Sequence, residues 1–225
     1  MLIFDVITIF PRIFNSFLKE GLIARAQKKK LIKINIHDLR KWATDRRKTV
    51  DDRPYGGGLG MVLKVEPIFK AVKSVKSKAK TRKSKIVLFT PRGKKFNQKT
   101  AYQLSKLNQV IMICGRYEGV DERVAKYVAD MELSIGDYDL MGGDLPAQVV
   151  IETVARLIPG VLGKRELLKE RITKEREFIE YHQYTRPEVF SPKKEVHWKV
   201  PKVLISGHHK KIAQWRQKHG KHIGS

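Results

Sequence analysis

The chain has 225 residues, of which 41% are hydrophobic, so it is long and apolar enough for a substantial core and is not a wholly disordered protein. Its one cysteine, Cys114, excludes an internal disulfide and a cysteine-rich zinc site, which fits a reducing cytoplasm. Lys and Arg number 47 against 23 acids, giving a formal net charge of +24. Such an excess predicts a polyanionic partner, of which nucleic acid is the commonest.

The basic charge is segregated along the chain. Between Glu66 and Glu118 there are 14 Lys and Arg and no acid. From Ser191 onward there are nine Lys and Arg, five of the seven histidines and one acid, Glu195. Segregation of this kind indicates a binding face. The histidines lack cysteines or carboxylates at ligand spacing, so we interpret them as part of a solvated basic tail and not as a metal centre.

The amino-terminal stretch, MLIFDVITIFPRIF, is apolar but contains Asp5 and Pro11. It lacks the basic region and the small-residue cleavage site of a signal peptide. No apolar run reaches the roughly 18 residues that a membrane helix needs. The sequence therefore predicts no membrane span and a cytoplasmic location.

Strands and helices alternate along the first two thirds of the chain. The pattern predicts a strand at 2–10, a helix at 12–30, a strand at 31–39, a long loop at 40–67, a helix at 67–80, a strand at 84–93, a helix near 96–107, a strand from 109, a helix near 121–128 and a helix at 145–160. Alternation of this kind predicts an α/β domain with a mainly parallel sheet.

Three glycine-bearing loops lie at the ends of predicted strands: FTPRG, CGRYEG and SIGDYDLMGG. Ligands of parallel α/β sheets bind at the carboxyl ends of the strands, so we expect these loops to form one composite pocket. Neither they nor YGGGLG at 55–60 match a phosphate-loop or dinucleotide fingerprint. Small residues instead suit the close approach of the backbone to a flat ligand. No spacing suggests a Ser-His-Asp triad, and Cys114 is interpreted as a core residue.

The composition changes after Gly160, where a charge-dense segment is followed by a proline-rich, extended stretch and a final helix at 210–219. This change predicts a second, smaller domain. The division that we expect is 1–161 for the first domain, 162–183 for a linker and 184–225 for a small carboxyl-terminal domain.

Six sequence blocks, in order, resemble a known family: TVDDRPYGGGLGM, CGRYEGVDER, SIGDYDLMGGDLPA, VARLIPGVLG, YTRPE and VPKVLISGHH. The family is the bacterial tRNA (guanine-N1)-methyltransferases, TrmD, which are SPOUT methyltransferases. The resemblance implies a mainly parallel α/β domain with a carboxyl-terminal trefoil knot, followed by a small helical domain that binds tRNA. It also implies a homodimer that transfers a methyl group from S-adenosylmethionine to N1 of guanosine 37, immediately 3′ of the tRNA anticodon.

By position, the resemblance assigns the cofactor pocket to the three loops. Its residues are Phe89, Thr90, Pro91, Gly115, Tyr117, Glu118, Ile135, Gly136, Asp137, Tyr138, Asp139, Leu140, Gly142, Gly143 and Pro146. Contacts with the substrate are assigned to Asp51, Gly60, Arg116 and Glu118. Asp51 and Glu118 would accept hydrogen bonds from guanine N1 and N2, because both nitrogens carry protons.

The resemblance also implies a catalytic arginine and a general base. Arg156 would stabilise charge developing on guanine O6, and the alternative is an ordinary helix-surface arginine. In the family a linker aspartate removes the N1 proton. This linker has no aspartate, so Glu170 is assigned the role, with Glu175 and Glu177 as alternatives. The competing interpretation of all three is a solvated, charged helix.

Two further departures from the family pattern fall in the loop expected to meet RNA, where Leu59 replaces a proline and Arg47 a histidine. The family also implies Mg²⁺, for which the sequence shows no site. Two rival functions stay open: an RNA-binding module that has lost the base, and a methyltransferase of another RNA. The intact cofactor loops argue against the first, because a pure binder needs no adenine pocket.

Overall fold

The computed structural model describes residues 1–79, 83–163 and 178–223. The chain divides into two compact units, Met1–Leu167 and Leu168–Ser225. The described strands of the first unit are β1 (Leu2–Thr8), β2 (Ile32–Asp38), β3 (Asp51–Asp52), β4 (Val62–Leu63), β5 (Ser84–Lys95), β6 (Gln109–Cys114) and β7 (Met131–Ser134). Its described helices are α1 (Asn15–Lys19), α2 (Gly21–Lys28), α3 (Val65–Ala79), α4 (Gln98–Leu104), α5 (Glu122–Tyr127) and α6 (Asp144–Ala155), with 3-10 turns at Pro11–Phe14 and Leu39–Trp42.

The central sheet has five parallel strands in the order β2-β1-β6-β5-β7. Its inner strands contain nearly continuous buried runs, LIFDVIT in β1, IVLF in β5 and QVIMIC in β6. Such runs are typical of parallel strands, because helices cover both faces of the sheet. The predicted α/β fold with a mainly parallel sheet is confirmed.

Alternate residues of the inner strands pack into two cores. On one face Val87 and Met112 pack with apolar residues of α2, α4 and α6. On the other face Leu88 and Ile111 pack with α3, α5 and the turn at Leu39–Trp42. The strand ends are therefore fixed from both sides, which gives the loops that follow them a rigid base.

Strand β5 is long because it pairs with β7 in two stretches. Val87–Phe89 pair with Met131–Leu133 and, after an irregularity, Lys94 and Lys95 pair with Leu133 and Ser134. Residues 90–93 bulge out between the two stretches. A Cβ atom on Gly93 would lie 2.6 Å from the backbone nitrogen of Leu133, so the close approach to β7 requires glycine.

The predicted helix at 12–30 is wrong as a single element. Its residues form a 3-10 turn, α1 and α2, with a break at Glu20, which is extended at φ −123° and ψ 161°. Gly21 then takes a left-handed φ of +62°, a conformation that favours glycine and that a continuous helix does not contain. The predicted loop at 40–67 also differs, because β3 and β4 pair within it as a short antiparallel ladder.

The described part of the second unit contains two antiparallel ladders and two helices. Strand β8 (Phe178–Glu180) pairs with β11 (Lys221–Ile223), and β9 (Val189–Lys193) pairs with β10 (Val196–Lys199). The helices are α7 (Lys202–Ile205) and α8 (His209–Lys218). The stretch predicted to be extended therefore forms a hairpin and a short helix. Most of the linker predicted at 162–183 lies outside the described residues.

Candidate active site

The three glycine-bearing loops surround one cavity of about 390 Å³. The first lies at the bulge within β5, and the other two follow β6 and β7; all three are at one edge of the sheet because the strands are parallel. The cavity is lined by every residue that the resemblance assigned to the cofactor, except Gly136 and Asp137. Those two belong to the same loop, but Asp137 is turned outward and pairs with Lys95.

Sequence reasoning missed several residues of the cavity wall. They are Leu88, Arg92, Gly119, Val120, Glu122, Leu133 and Ser134. Arg116, assigned to the substrate, also lines this wall. The buried Leu88 and Leu133 could have been found from their strands, since Leu88 comes just before the β5 bulge and Leu133 just before the end of β7.

The glycines of the wall are required by packing between loops. A Cβ atom on Gly143 would lie 2.8 Å from Cys114 Cα, and one on Gly142 would lie 2.5 Å from the Arg116 side chain. The Gly143 N–H also donates to the Gly115 carbonyl at 3.0 Å. The prediction that small residues admit a flat ligand is therefore incomplete. These two glycines have another role, because they allow the loops after β6 and β7 to pack against each other.

The charged residues of the cavity include three acids, Glu118, Glu122 and Asp139, and two arginines, Arg92 and Arg116. Arg92 pairs with Glu122, and Arg116 pairs with a buried carboxylate behind the wall. Within the described residues no cation pairs with Glu118 or Asp139. A pocket with two uncompensated carboxylates, in a chain of net charge +24, favours a ligand that carries positive charge.

Arg116 is held by contacts inside the protein. Its Nε and Nη2 atoms lie 2.7 Å and 2.6 Å from the same carboxylate oxygen of Asp144, the first residue of α6. Its Nη1 atom donates to the Met141 carbonyl at 3.3 Å, and its guanidinium lies over the Phe10 ring, 4.7 Å from the centroid. Thr8, at the end of β1, donates its hydroxyl hydrogen to the second Asp144 oxygen.

The other residues assigned to the substrate meet at the rim of the cavity. Tyr117 has a left-handed φ of +60° and its hydroxyl group lies near the Asp51 carboxylate. Burial, followed by the Asp51 carboxylate, raises the pKa of the Tyr117 phenol, which is therefore protonated at neutral pH. Gly60 packs against Glu118, since a Cβ atom there would lie 2.7 Å from the Glu118 side chain. Asp51 thus neighbours Tyr117, and Gly60 neighbours Glu118.

Backbone hydrogen bonds fix this rim. The Leu63 N–H donates to the Gly119 carbonyl at 3.0 Å, and the Glu118 N–H donates to the Met61 carbonyl at 3.1 Å. Both bonds join the segment around β4 to the loop after β6. The glycine-rich stretch 56–60 therefore begins and ends beside the cavity.

Cys114 does not have the properties of a nucleophile. It is fully buried at the end of β6, and burial, with a smaller contribution from Asp144, raises the pKa of its thiol well above the ordinary value. The thiol is therefore neutral at physiological pH, which agrees with its interpretation as a core residue.

Arg156 lies on a different cleft of the same chain. It caps the carboxyl end of α6 and lines a cavity of about 570 Å³ between α6 and the segment around α1 and α2. Glu20, Glu152 and the apolar Leu22 and Val161 line the same cleft. Arg156 is absent from the wall of the first cavity. Glu170, Glu175 and Glu177 lie outside the described residues.

Neither a metal cluster nor a membrane helix is found in the described part of the chain. No group of three or more His, Cys, Asp or Glu side chains there could hold a metal ion. No helix among residues 1–79, 83–163 and 178–223 is long and apolar enough to cross a membrane.

The parallel sheet and the acid-bearing cavity at its carboxyl edge define the class as an α/β protein with a ligand pocket formed by three strand-end loops. The chain matches the model of the family described as tRNA (Guanine-1)-methyltransferase TrmD over residues 2–223, and it belongs to that family. The family predicted from the six sequence blocks is confirmed.

Curated relatives agree with this assignment. The chain is 48% identical over 218 residues to a tRNA (guanine-N(1)-)-methyltransferase of Dictyoglomus turgidum, covering 97% of this chain and 84% of that protein. It is 47% identical over 215 residues to the protein of the same name from Chloroflexus aggregans, covering 95% and 81%. For that of Geobacter sp. strain M21 the identity is 48% over 215 residues, covering 96% and 83%.

Proposed function

We propose that this chain is a tRNA (guanine-N1)-methyltransferase that transfers a methyl group from S-adenosylmethionine to N1 of the guanosine immediately 3′ of the anticodon. Membership of the family and the names of its relatives support the reaction. The proposal of S-adenosylmethionine as the cofactor rests on the cavity at the sheet edge. This cavity contains acidic residues, although the chain as a whole is strongly basic. The substrate proposed here would place the enzyme in the cytoplasm.

The residues of the cavity fit S-adenosylmethionine in size and chemistry. A volume of about 390 Å³ lies in the range of small-molecule sites. Phe89, Ile135 and Leu140 offer an apolar wall for an adenine ring, and the surrounding loops offer backbone donors and acceptors. Glu118 and Asp139 offer negative charge to the sulfonium and ammonium groups. When bound, the cofactor would supply the electrophilic methyl group.

The protein must also remove the proton from guanine N1. This nitrogen is a poor nucleophile until its proton is removed, so a carboxylate must be positioned beside it. Asp51, beside Tyr117, and Glu118, beside Gly60, are suited to accept hydrogen bonds from the guanine edge. Glu170, with Glu175 and Glu177 as alternatives, remains our proposal for the base, and Arg156 for the group that stabilises charge on O6.

A homodimer would bring Arg156 and the proposed cofactor cavity together in one active site. In one chain Arg156 lines a cleft other than the cofactor cavity. Exposed apolar side chains near that cleft, Leu22 on α2 and Leu145 and Val149 on α6, favour burial against another subunit. We propose that each active site combines the cavity of one subunit with Arg156 and the linker carboxylate of its partner.

The trefoil knot, the tRNA-binding carboxyl-terminal domain and the Mg²⁺ requirement are further proposals. The double pairing of β5 with β7 supports the knot, because the chain returns to β7 after the bulge and Gly93 packs directly against that strand. The basic residues of α8 support a domain that contacts phosphates. Mg²⁺ dependence would be tested by titrating the ion into chelator-treated enzyme during single-turnover methylation.

The reaction is tested with radiolabelled S-adenosylmethionine and two tRNA transcripts, one with guanosine and one with adenosine 3′ of the anticodon. We expect label in the first transcript alone, and a primer-extension stop beside the anticodon, because an N1-methyl group blocks base pairing. Cofactor binding without transfer would favour a non-catalytic binder. A stop elsewhere would favour another target.

The base is tested by Glu170→Gln. If Glu170 removes the N1 proton, single-turnover methylation falls by about 10²-fold or more while cofactor affinity is kept. Glu175→Gln and Glu177→Gln are measured in parallel, and a loss confined to one of them would assign the role to that alternative. A wild-type rate for Glu170→Gln would exclude Glu170 from the role.

A further inference from the structure

We infer that Asp144, Arg116 and Thr8 form a buried latch that holds the cofactor cavity in its binding shape, and that Arg116 acts as a positioning residue and not as an RNA contact. The inference rests on the proposed function, because it takes the cavity as the S-adenosylmethionine site. It assigns roles to Asp144 and Thr8, which neither the motifs nor the family match identifies.

Each guanidinium nitrogen of Arg116 already has a partner inside the protein. Nε and Nη2 both lie within 2.7 Å of one Asp144 oxygen, and Nη1 donates to the Met141 carbonyl. The Arg116 side chain is 17% exposed and that of Asp144 is 1% exposed. Recruiting Arg116 to RNA would leave the Asp144 carboxylate buried without its cation, which is strongly unfavourable.

The latch joins three separate elements at the carboxyl edge of the sheet. Arg116 belongs to the loop after β6, Asp144 begins α6, and Thr8 ends β1. The second Asp144 oxygen accepts the Thr8 hydroxyl hydrogen, and the Thr8 hydroxyl oxygen accepts the Phe10 N–H at 2.9 Å. Both oxygens of the buried carboxylate are therefore satisfied, as a stable internal charge requires.

The latch acts on the cavity through the two loops that it joins. Arg116 bridges to Gly142, and the Gly143 N–H bonds to the Gly115 carbonyl, so the pairing of Arg116 with Asp144 closes one wall. Gly115, Gly142 and Gly143 all line the cavity. Without the ion pair this wall would be free to separate, and the cofactor would meet an imperfectly formed site.

The experiment compares Arg116→Gln, Arg116→Lys, Asp144→Asn and the double variant Arg116→Gln/Asp144→Asn. S-adenosylmethionine binding is measured by calorimetry, tRNA binding without cofactor by filter retention, and KM for each substrate by initial rates. Arg123→Gln is the matched control, because Arg123 pairs with Asp121 on the same loop but stays largely exposed.

We expect Arg116→Gln and Asp144→Asn each to weaken cofactor binding roughly tenfold or more, with tRNA affinity nearly unchanged. The double variant should be no weaker than the worse single variant, because both remove the same pair. Arg116→Lys should be intermediate, since a lysine keeps the charge but not the fork of donors. Arg123→Gln should bind the cofactor like the wild type.

Loss of tRNA affinity in Arg116→Gln with unchanged cofactor binding would overturn the inference and make Arg116 an RNA contact. Additive losses in the double variant would also overturn it. If Asp144→Asn fails to fold, Thr8→Val tests the same latch at its third member, with an expected rise in KM for the cofactor alone. A wild-type protein that binds no S-adenosylmethionine would instead refute the proposed function.

Discussion

Buried carboxylates are where single residues have the largest effect in this basic chain. Asp5, in the middle of β1, is 3% exposed and receives hydrogen bonds from Asn35 and Gln109, each at 2.8 Å. His37 Nε2 lies 2.8 Å from the same carboxylate. Burial raises the pKa of Asp5, but the bonds from His37, Gln109 and Asn35 together lower it below its ordinary value.

Asp5→Asn tests this arrangement through the pH dependence of stability. Because the folded-state pKa of Asp5 lies below that of the unfolded chain, the ionised carboxylate stabilises the fold above about pH 4. That contribution is lost as the pH falls through the folded-state pKa. We expect the variant to lose about 1–3 kcal/mol of unfolding free energy at pH 7, with the difference shrinking below pH 4. Urea denaturation measures it, and the exposed Asp52→Asn is the control.

The residues that the sequence could identify are those that stand inside short motifs. Tyr117, Glu118 and the loop at 135–143 line the cavity or its rim because each follows directly from a strand end. Thr8 could not be found in this way, since it bonds to Asp144, 136 residues away. Contacts of this kind depend on how the sheet orders its strands, and no local pattern in the sequence records them.

At the scale of elements, the double pairing of β5 connects sheet geometry to the cavity. Thr90 and Pro91 line the cavity from the bulge that separates the two paired stretches. Hydrophobic periodicity predicted the first stretch, because it is apolar, and stopped at Gly93. The second stretch contains Lys94 and Lys95, whose pairing with β7 is backbone geometry that periodicity does not detect.

Gly93→Ala tests whether this geometry supports the cavity. Its new Cβ atom would fall 2.6 Å from Leu133 N and 2.7 Å from Glu132 C, so the bulge must move away from β7. We expect a loss of about 1–3 kcal/mol in unfolding free energy and weaker S-adenosylmethionine binding. Gly163→Ala is the matched control, because a Cβ atom there has nothing within 4 Å. Equal behaviour of the two variants would contradict the role of Gly93.

At the scale of the whole molecule, the two candidate catalytic regions are at opposite ends of α6. Asp144 begins the helix beside the cavity at the sheet edge, and Arg156 caps its other end beside the second cleft. The twelve positions from Asp144 to Arg156 separate the two ends by roughly 18 Å along the helix axis. Sequence motifs assigned both regions to one reaction but could not show this separation, because spacing along the chain does not give distances in the fold.

A heterodimer of two inactive variants tests the shared active site. Leu140→Trp fills the cofactor cavity, and Arg156→Ala removes the arginine from the second cleft. Each homodimer should be nearly inactive. If a site combines the cavity of one subunit with Arg156 of the other, a heterodimer isolated through two different tags has one doubly defective site and one intact site. We therefore expect about half of the wild-type methylation rate per dimer. If both groups act within one chain, each site carries one defect and the heterodimer should be as inactive as the homodimers.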